Sequence, residues 1–190
     1  AWLKRHHDFV RVEDVLAAAR GDGTLPDRAV LLTFDDGYSD HYRYVLPILD
    51  DLRIQGCFFA PLQPLRDRVL LDVNRIHFTL AAAPSASDVA SFCLERIDDL
   101  RQAHGLQPAR YYEESGGRRS RFDDGPTLMV KRLLQRELPA AVRSQIAGEA
   151  FDRFVSVDER AFAEELYLTP DQIGTMRRLG MWFGAHGVTH

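Results

Sequence analysis

The run Ala29-Val30-Leu31-Leu32-Thr33-Phe34 ends abruptly at Asp35-Asp36-Gly37. A continuous apolar stretch this short, closed by turn residues, reads as a strand buried on both faces, the mark of a parallel sheet covered by helices. Over 39–53, Tyr42, Val45, Leu46, Leu49 and Leu52 recur at threes and fours, which predicts a helix with one face on that sheet and Pro47 kinking or splitting it. A second short buried run, Gly56-Cys57-Phe58-Phe59-Ala60-Pro61, follows. Strand, helix and strand in this order are most easily joined with the strands parallel, and functional groups of such sheets gather at the strands' carboxyl ends. Asp35 and Asp36 stand at such an end.

Strand signals then vanish until the last part of the chain. Helices are predicted over 72–82, 87–104, 127–135, 140–154 and 158–166, the last opened by a capping box at Ser156-Val157-Asp158-Glu159. The polar stretch 105–125 reads as an exposed loop. Thr169-Pro170-Asp171-Gln172 is a further capping box, with proline at the first helical position, and its helix ends near Leu179-Gly180. A strand over 181–185 runs straight into His186-Gly187-Val188-Thr189-His190. The expectation is one α/β domain over 1–190 carrying a large helical insertion at about 65–168. Three clear strands close neither a barrel nor a doubly wound sheet, so the chain reads as the front of a larger α/β fold whose C-terminal part is absent.

Composition narrows the function classes. Hydrophobic residues at 45% and charged residues at 27% exclude a disordered tail. Twenty-four Lys and Arg against twenty-eight Asp and Glu leave a net charge of −4, which argues against nucleic acid as a partner. No apolar run approaches the roughly 20 residues of a membrane helix, so no integral membrane segment is expected. Cys57 and Cys93 are isolated in apolar surroundings without C-x-x-C spacing, and read as buried thiols. With an N-terminus that lacks a signal-peptide core, they favour a cytoplasmic over a secreted location.

Two groups of residues carry chemistry. Adjacent carboxylates after a buried strand, with Gly37 allowing a sharp bend, let one side chain bind a cation while its neighbour takes a proton. His186 and His190, four apart, fall on one face of a helical turn with Cβ atoms about 5–6 Å apart, near enough to share a metal. With Asp36 they form a set of two histidines and one carboxylate, which leaves positions open for water and substrate. Phe122-Asp123-Asp124-Gly125-Pro126 repeats the acidic motif, but Gly-Gly-Arg-Arg-Ser-Arg before it cannot form a buried strand, so this copy reads as a turn capping the next helix. Arg118, Arg119 and Arg121 read as a solvated loop. His6, His7, His41, His77 and His104 read as surface or helix residues.

Thr33-Phe34-Asp35-Asp36-Gly37, Gly56-Cys57-Phe58-Phe59 and His186-Gly187-Val188-Thr189-His190 resemble the first motifs of the polysaccharide deacetylase family, also called the NodB-homology domain or carbohydrate esterase family 4. The resemblance covers about residues 8–62 and 169–190 and leaves 65–168 outside. It implies an incomplete distorted (β/α) barrel, with Asp35 as general base and Asp36, His186 and His190 holding a divalent metal, usually zinc. Thr189 would brace the histidine loop, with Thr33 and Gly37 supporting the acidic turn. The implied reaction is hydrolysis of an N-acetyl or other acyl group on a carbohydrate, a bacterial envelope polysaccharide or its precursor. Gly187 departs from the Ser or Thr usual after the first histidine. The family's later motifs would fall beyond His190, so this stretch is expected to lack full activity. Two competing readings use the same residues. A non-haem iron oxygenase would share the two-histidine, one-carboxylate set, but strand–helix alternation argues against it. A non-catalytic carbohydrate-binding module derived from a deacetylase is disfavoured by the retained Asp35.

Overall fold

The computed structural model describes residues 2–114, 123–155 and 158–188. In chain order, the elements up to residue 69 are α1 (Trp2–His6), β1 (Asp8–Phe9), α2 (Val12–Arg20), β2 (Ala29–Val30), β3 (Leu32–Phe34), a π-turn (His41–Val45), α3 (Leu46–Leu52), β4 (Gly56–Ala60) and α4 (Leu62–Asp67). Next come α5 (Asp72–Ala82), α6 (Ala86–His104), α7 (Ala109–Glu114), α8 (Gly125–Arg132), a second π-turn (Leu133–Glu137) and α9 (Ala140–Phe154). The chain returns through α10 (Glu159–Leu166), α11 (Pro170–Arg178) and β5 (Trp182–Ala185). The architecture is mixed α/β in two units, residues 1–69 with 160–190, and residues 70–159.

In the first unit, β3, β4 and β5 form a three-stranded parallel sheet with β4 in the middle. Only β4 matches the expectation of a strand covered on both sides, with Cys57 and Phe58 fully buried. The 29–34 run departs from it in two ways. It breaks at Leu31 into β2, which pairs with β1 in a separate two-stranded sheet, and β3, which pairs with β4. Its residues are half-buried, with Thr33 exposed, because β3 is an edge strand with a neighbour on one side only. The core beneath the larger sheet joins Leu46 and Leu49 of α3 to Phe58, Leu168, Met176 and Met181.

The predicted helix over 39–53 forms with a widened turn. The Leu46 N–H reaches back five residues to the His41 carbonyl, and Pro47 follows in the first turn of α3. A proline ring in a regular helix strikes the carbonyl four residues earlier, and an extra residue in that turn relieves the clash. At the other end of β4, Gln55 accepts from the Val12 N–H (2.9 Å) and donates to the Gly180 carbonyl (3.1 Å), tying α2 to the loop that enters β5.

The second unit is helical throughout its described residues. Val89, Cys93 and Ile97 of α6 pack with Val130 of α8 and with Val142 and Ile146 of α9, all without solvent exposure. Burial pushes the Cys93 thiol up to about 12, and Cys57 is also shifted upward by burial, so both are neutral thiols near pH 7. The expected loop over 105–125 contains α7, because Tyr112 has an apolar site to fill and Asp98 accepts from the Ala109 N–H at 2.9 Å to start the helix. Arg75 pairs with Asp72 (2.6 Å) and Glu159 (2.5 Å), and Glu159 also accepts from the Leu70 N–H, so the two ends of this unit are bonded to each other. Among the described residues no helix is long and apolar enough to cross a membrane.

Candidate functional site

Strand register puts the candidate residues at one edge of the sheet. Phe34 pairs with Phe58, and Ala60 with Ala185, so Asp35 and Asp36 leave β3 on the same side as His186 leaves β5, with the end of β4 between them. The chain then turns through two successive left-handed residues, Asp36 (φ 69°) and Gly37 (φ 63°). The turn sits hard against β4, where a Cβ added at Gly37 would lie 2.9 Å from that of Ala60. Glycine is the residue that meets both demands.

Asp36 Oδ1 comes within 3.5 Å of His186 Nε2, with the two side chains 25% and 32% exposed. That separation is long for a charge-assisted hydrogen bond. It is close to the about 3.3 Å expected between two ligands bound at about 2.0 Å to one tetrahedral ion. The pair therefore has the donor chemistry and spacing to share a cation. Among the described residues no third His, Cys, Asp or Glu completes a group able to hold a metal. His190 and Thr189 lie outside the described residues. Asp35 is exposed beside Asp36, and Thr33 lies opposite Cys57 in β3.

Backbone bonds fix both halves of the site. The His186 N–H donates to the Ala60 carbonyl (3.1 Å), while the Leu62 and Gln63 N–H groups, in the first turn of α4, donate to the carbonyls of Gly187 (3.2 Å) and Val188 (3.0 Å). Otherwise unsatisfied amides at a helix start thus hold the histidine loop. On the acidic side, the Leu168 N–H donates to the Gly37 carbonyl (2.8 Å) and Ser39 Oγ donates to the Glu165 carbonyl (2.6 Å). Tyr38 and Tyr167 stack with ring centroids 6.1 Å apart.

His41 opens the helical π-turn, in keeping with its expectation as a surface or helix residue, and is half-buried there. Its ring packs against Phe34, Tyr38 and Phe58, and its Nδ1 is buried without a hydrogen-bond partner. His41 lies four residues before Val45 and three after Tyr38, on the partly buried side of this helix. The second acidic motif behaves as a cap: Asp124 accepts from the Thr127 N–H (2.9 Å) and Asp123 pairs with Lys131 (2.8 Å). Arg118, Arg119, Arg121 and Ser156 lie outside the described residues.

A non-glycine residue in the left-handed region costs about 1 kcal/mol or more. Asp36→Gly is therefore expected to stabilise the cation-free protein by about 1 kcal/mol, raising Tm by roughly 2–4 °C in chelator. An unchanged Tm would mean that the turn carries no strain.

Comparison with known proteins agrees with the motif evidence. The family model described as polysaccharide deacetylase matches residues 22–64, the stretch that holds β2, β3, the acidic turn, α3 and β4. This stretch is similar to polysaccharide deacetylase sequence. Poly-β-1,6-N-acetyl-D-glucosamine N-deacetylase of Escherichia coli K12 is 46% identical over 50 residues, 26% of this chain and 7% of that protein. The protein of the same name from Escherichia coli O157:H7 gives the same figures. The chain thus spans 7% of the length of the curated relatives it matches. Among solved structures, the BpsB deacetylase domain of Bordetella bronchiseptica is 27% identical, over 35% of this chain and 25% of that one, with a TM-score of 0.32.

Proposed function

We propose that this chain is part of a metal-dependent carbohydrate N-deacetylase, acting on a bacterial envelope polysaccharide of N-acetylhexosamine or on its precursor. The observation that carries the reading is the approach of Asp36 to His186 at the carboxyl edge of the sheet, next to Asp35, within and just beyond a deacetylase-like segment. In this reading the first unit is the front of a distorted (β/α) barrel, and residues 70–159 form a helical insertion in it.

Asp36, His186 and His190 would hold a divalent cation, zinc by the mixture of imidazole and carboxylate donors. Bound there, such an ion polarises an amide carbonyl and lowers the pKa of a coordinated water towards neutrality. Asp35, exposed on the same turn, takes the proton from the attacking water. Oxygen bonds to the carbonyl carbon, the C–N bond breaks, and the proton leaves with the amine, giving acetate and a free amino sugar. Gly37 lets the acidic turn seat against Ala60, which keeps Asp35 and Asp36 beside the histidine loop.

The test, in the full-length protein, is zinc content and amine release from oligomers of β-1,6-linked N-acetylglucosamine, with and without chelator. Wild-type protein is expected to bind about one zinc per chain and Asp36→Ala close to none. Equal zinc content and equal amine release in Asp36→Ala would overturn the assignment. Sugar binding without amine release would favour the non-catalytic module instead.

A further inference from the structure

We propose that His41 is a positioning residue for the acidic turn, its half-buried imidazole packed against Phe34 and Tyr38, which bracket Asp35–Gly37. The inference rests on the deacetylase reading above. His41 sits between the two ends of the turn. Its ring centroid is 5.6 Å from that of Phe34, which precedes Asp35, and 6.0 Å from that of Tyr38, which follows Gly37. Phe58 in the central strand, at 5.5 Å, forms a third wall. The π-turn begins at this residue, and such widened turns recur where a helix is adapted to a site.

Packing alone does not explain an imidazole here. A phenyl ring would fill the same aromatic pocket and would remove the buried Nδ1 that has no partner. Burying such an atom is unfavourable, so the nitrogen-bearing ring costs stability that packing alone does not return. The charges it feels are all carboxylates, Asp36 most strongly, then Asp40 and Asp35. Burial outweighs their influence and holds the imidazole below its ordinary pKa, neutral near pH 7. Residues that fix the orientation of a metal ligand commonly set metal affinity, their loss costing about 10–100-fold.

The experiment is zinc titration of the purified protein against a chromophoric chelator, with thermal melting of each variant in the metal-free state. His41→Phe is expected to melt a few degrees higher than wild type, about 2–4 °C, and to bind zinc at least about tenfold more weakly. His41→Asn and His41→Gln keep a polar group, and at least one should recover most of the affinity. A Phe variant that binds zinc within about twofold of wild type overturns the role, as does equal loss in all three variants. Because the amide variants replace the ring altogether, a Phe variant that fails to fold leaves the comparison of Asn and Gln with wild type as the deciding one. Absence of zinc from the wild-type protein is a different failure, since it removes the deacetylase reading itself.

Discussion

On the proposed deacetylase reading, Asp35→Asn in the full-length protein is expected to lower amine release by about 10²–10⁴-fold while leaving zinc content unchanged. Asparagine has the size and hydrogen-bonding shape of aspartate but cannot take a proton, and Asp35 is exposed at the end of β3, so the fold should tolerate it. The contrast with Asp36→Ala is the informative part. One substitution should remove chemistry with the ion retained, the other should remove the ion. Amine release within about tenfold of wild type in Asp35→Asn would take the role of general base away from this residue.

The largest stability effect is expected at Gly37. Gly37→Val places a branched side chain at φ 63° with its Cβ 2.9 Å from Ala60 Cβ and 3.4 Å from Ala60 Cα. Backbone strain and overpacking together should cost about 2–5 kcal/mol, a large share of the 5–15 kcal/mol typical of a folded domain. The same atoms suggest a control. Gly37→Ala combined with Ala60→Gly removes the steric contact and keeps the strained backbone, so it should recover part of the loss of Gly37→Ala alone. The measurement is the urea midpoint at constant m-value. A Gly37→Ala protein as stable as wild type would show that the turn is not held against β4.

The parts of this fold that sequence made legible depend on local pattern. Alternation of apolar runs with a 3.6-residue stripe gave β3, α3 and β4, and the Thr169–Gln172 box marked the start of α11, whose side-chain and backbone bonds close as a reciprocal cap. The acidic turn and His186 stood out because charged or polar groups directly follow apolar strands. What was missed depends on partners distant in sequence. An apolar run has the same composition whether its strand is central or at an edge, so the break at Leu31 had no signature. Pro47 announced a disturbance of this helix, but not that it takes the form of a one-residue shift of hydrogen-bond register. The ring contacts of His41 with Phe34 and Phe58 join residues of separate elements, which helix periodicity alone does not show. The grip of Glu165 and Leu168 on Ser39 and Gly37 joins segments far apart in the chain, and nothing near either end announces it.

The central position of β4 bears on when a site of this kind can come into being. Asp36 and His186 are brought to the same edge by separate pairings of β4, with β3 on one side and with β5 on the other. The first pairing closes a short loop, whereas the second waits until the whole helical unit has been traversed. A ribosome-bound chain that has emerged only as far as α10 would already own its acidic turn but would have no imidazole to set opposite it. On the proposed reading, ion capture should therefore be among the last events of folding, following the docking of β5 rather than guiding it.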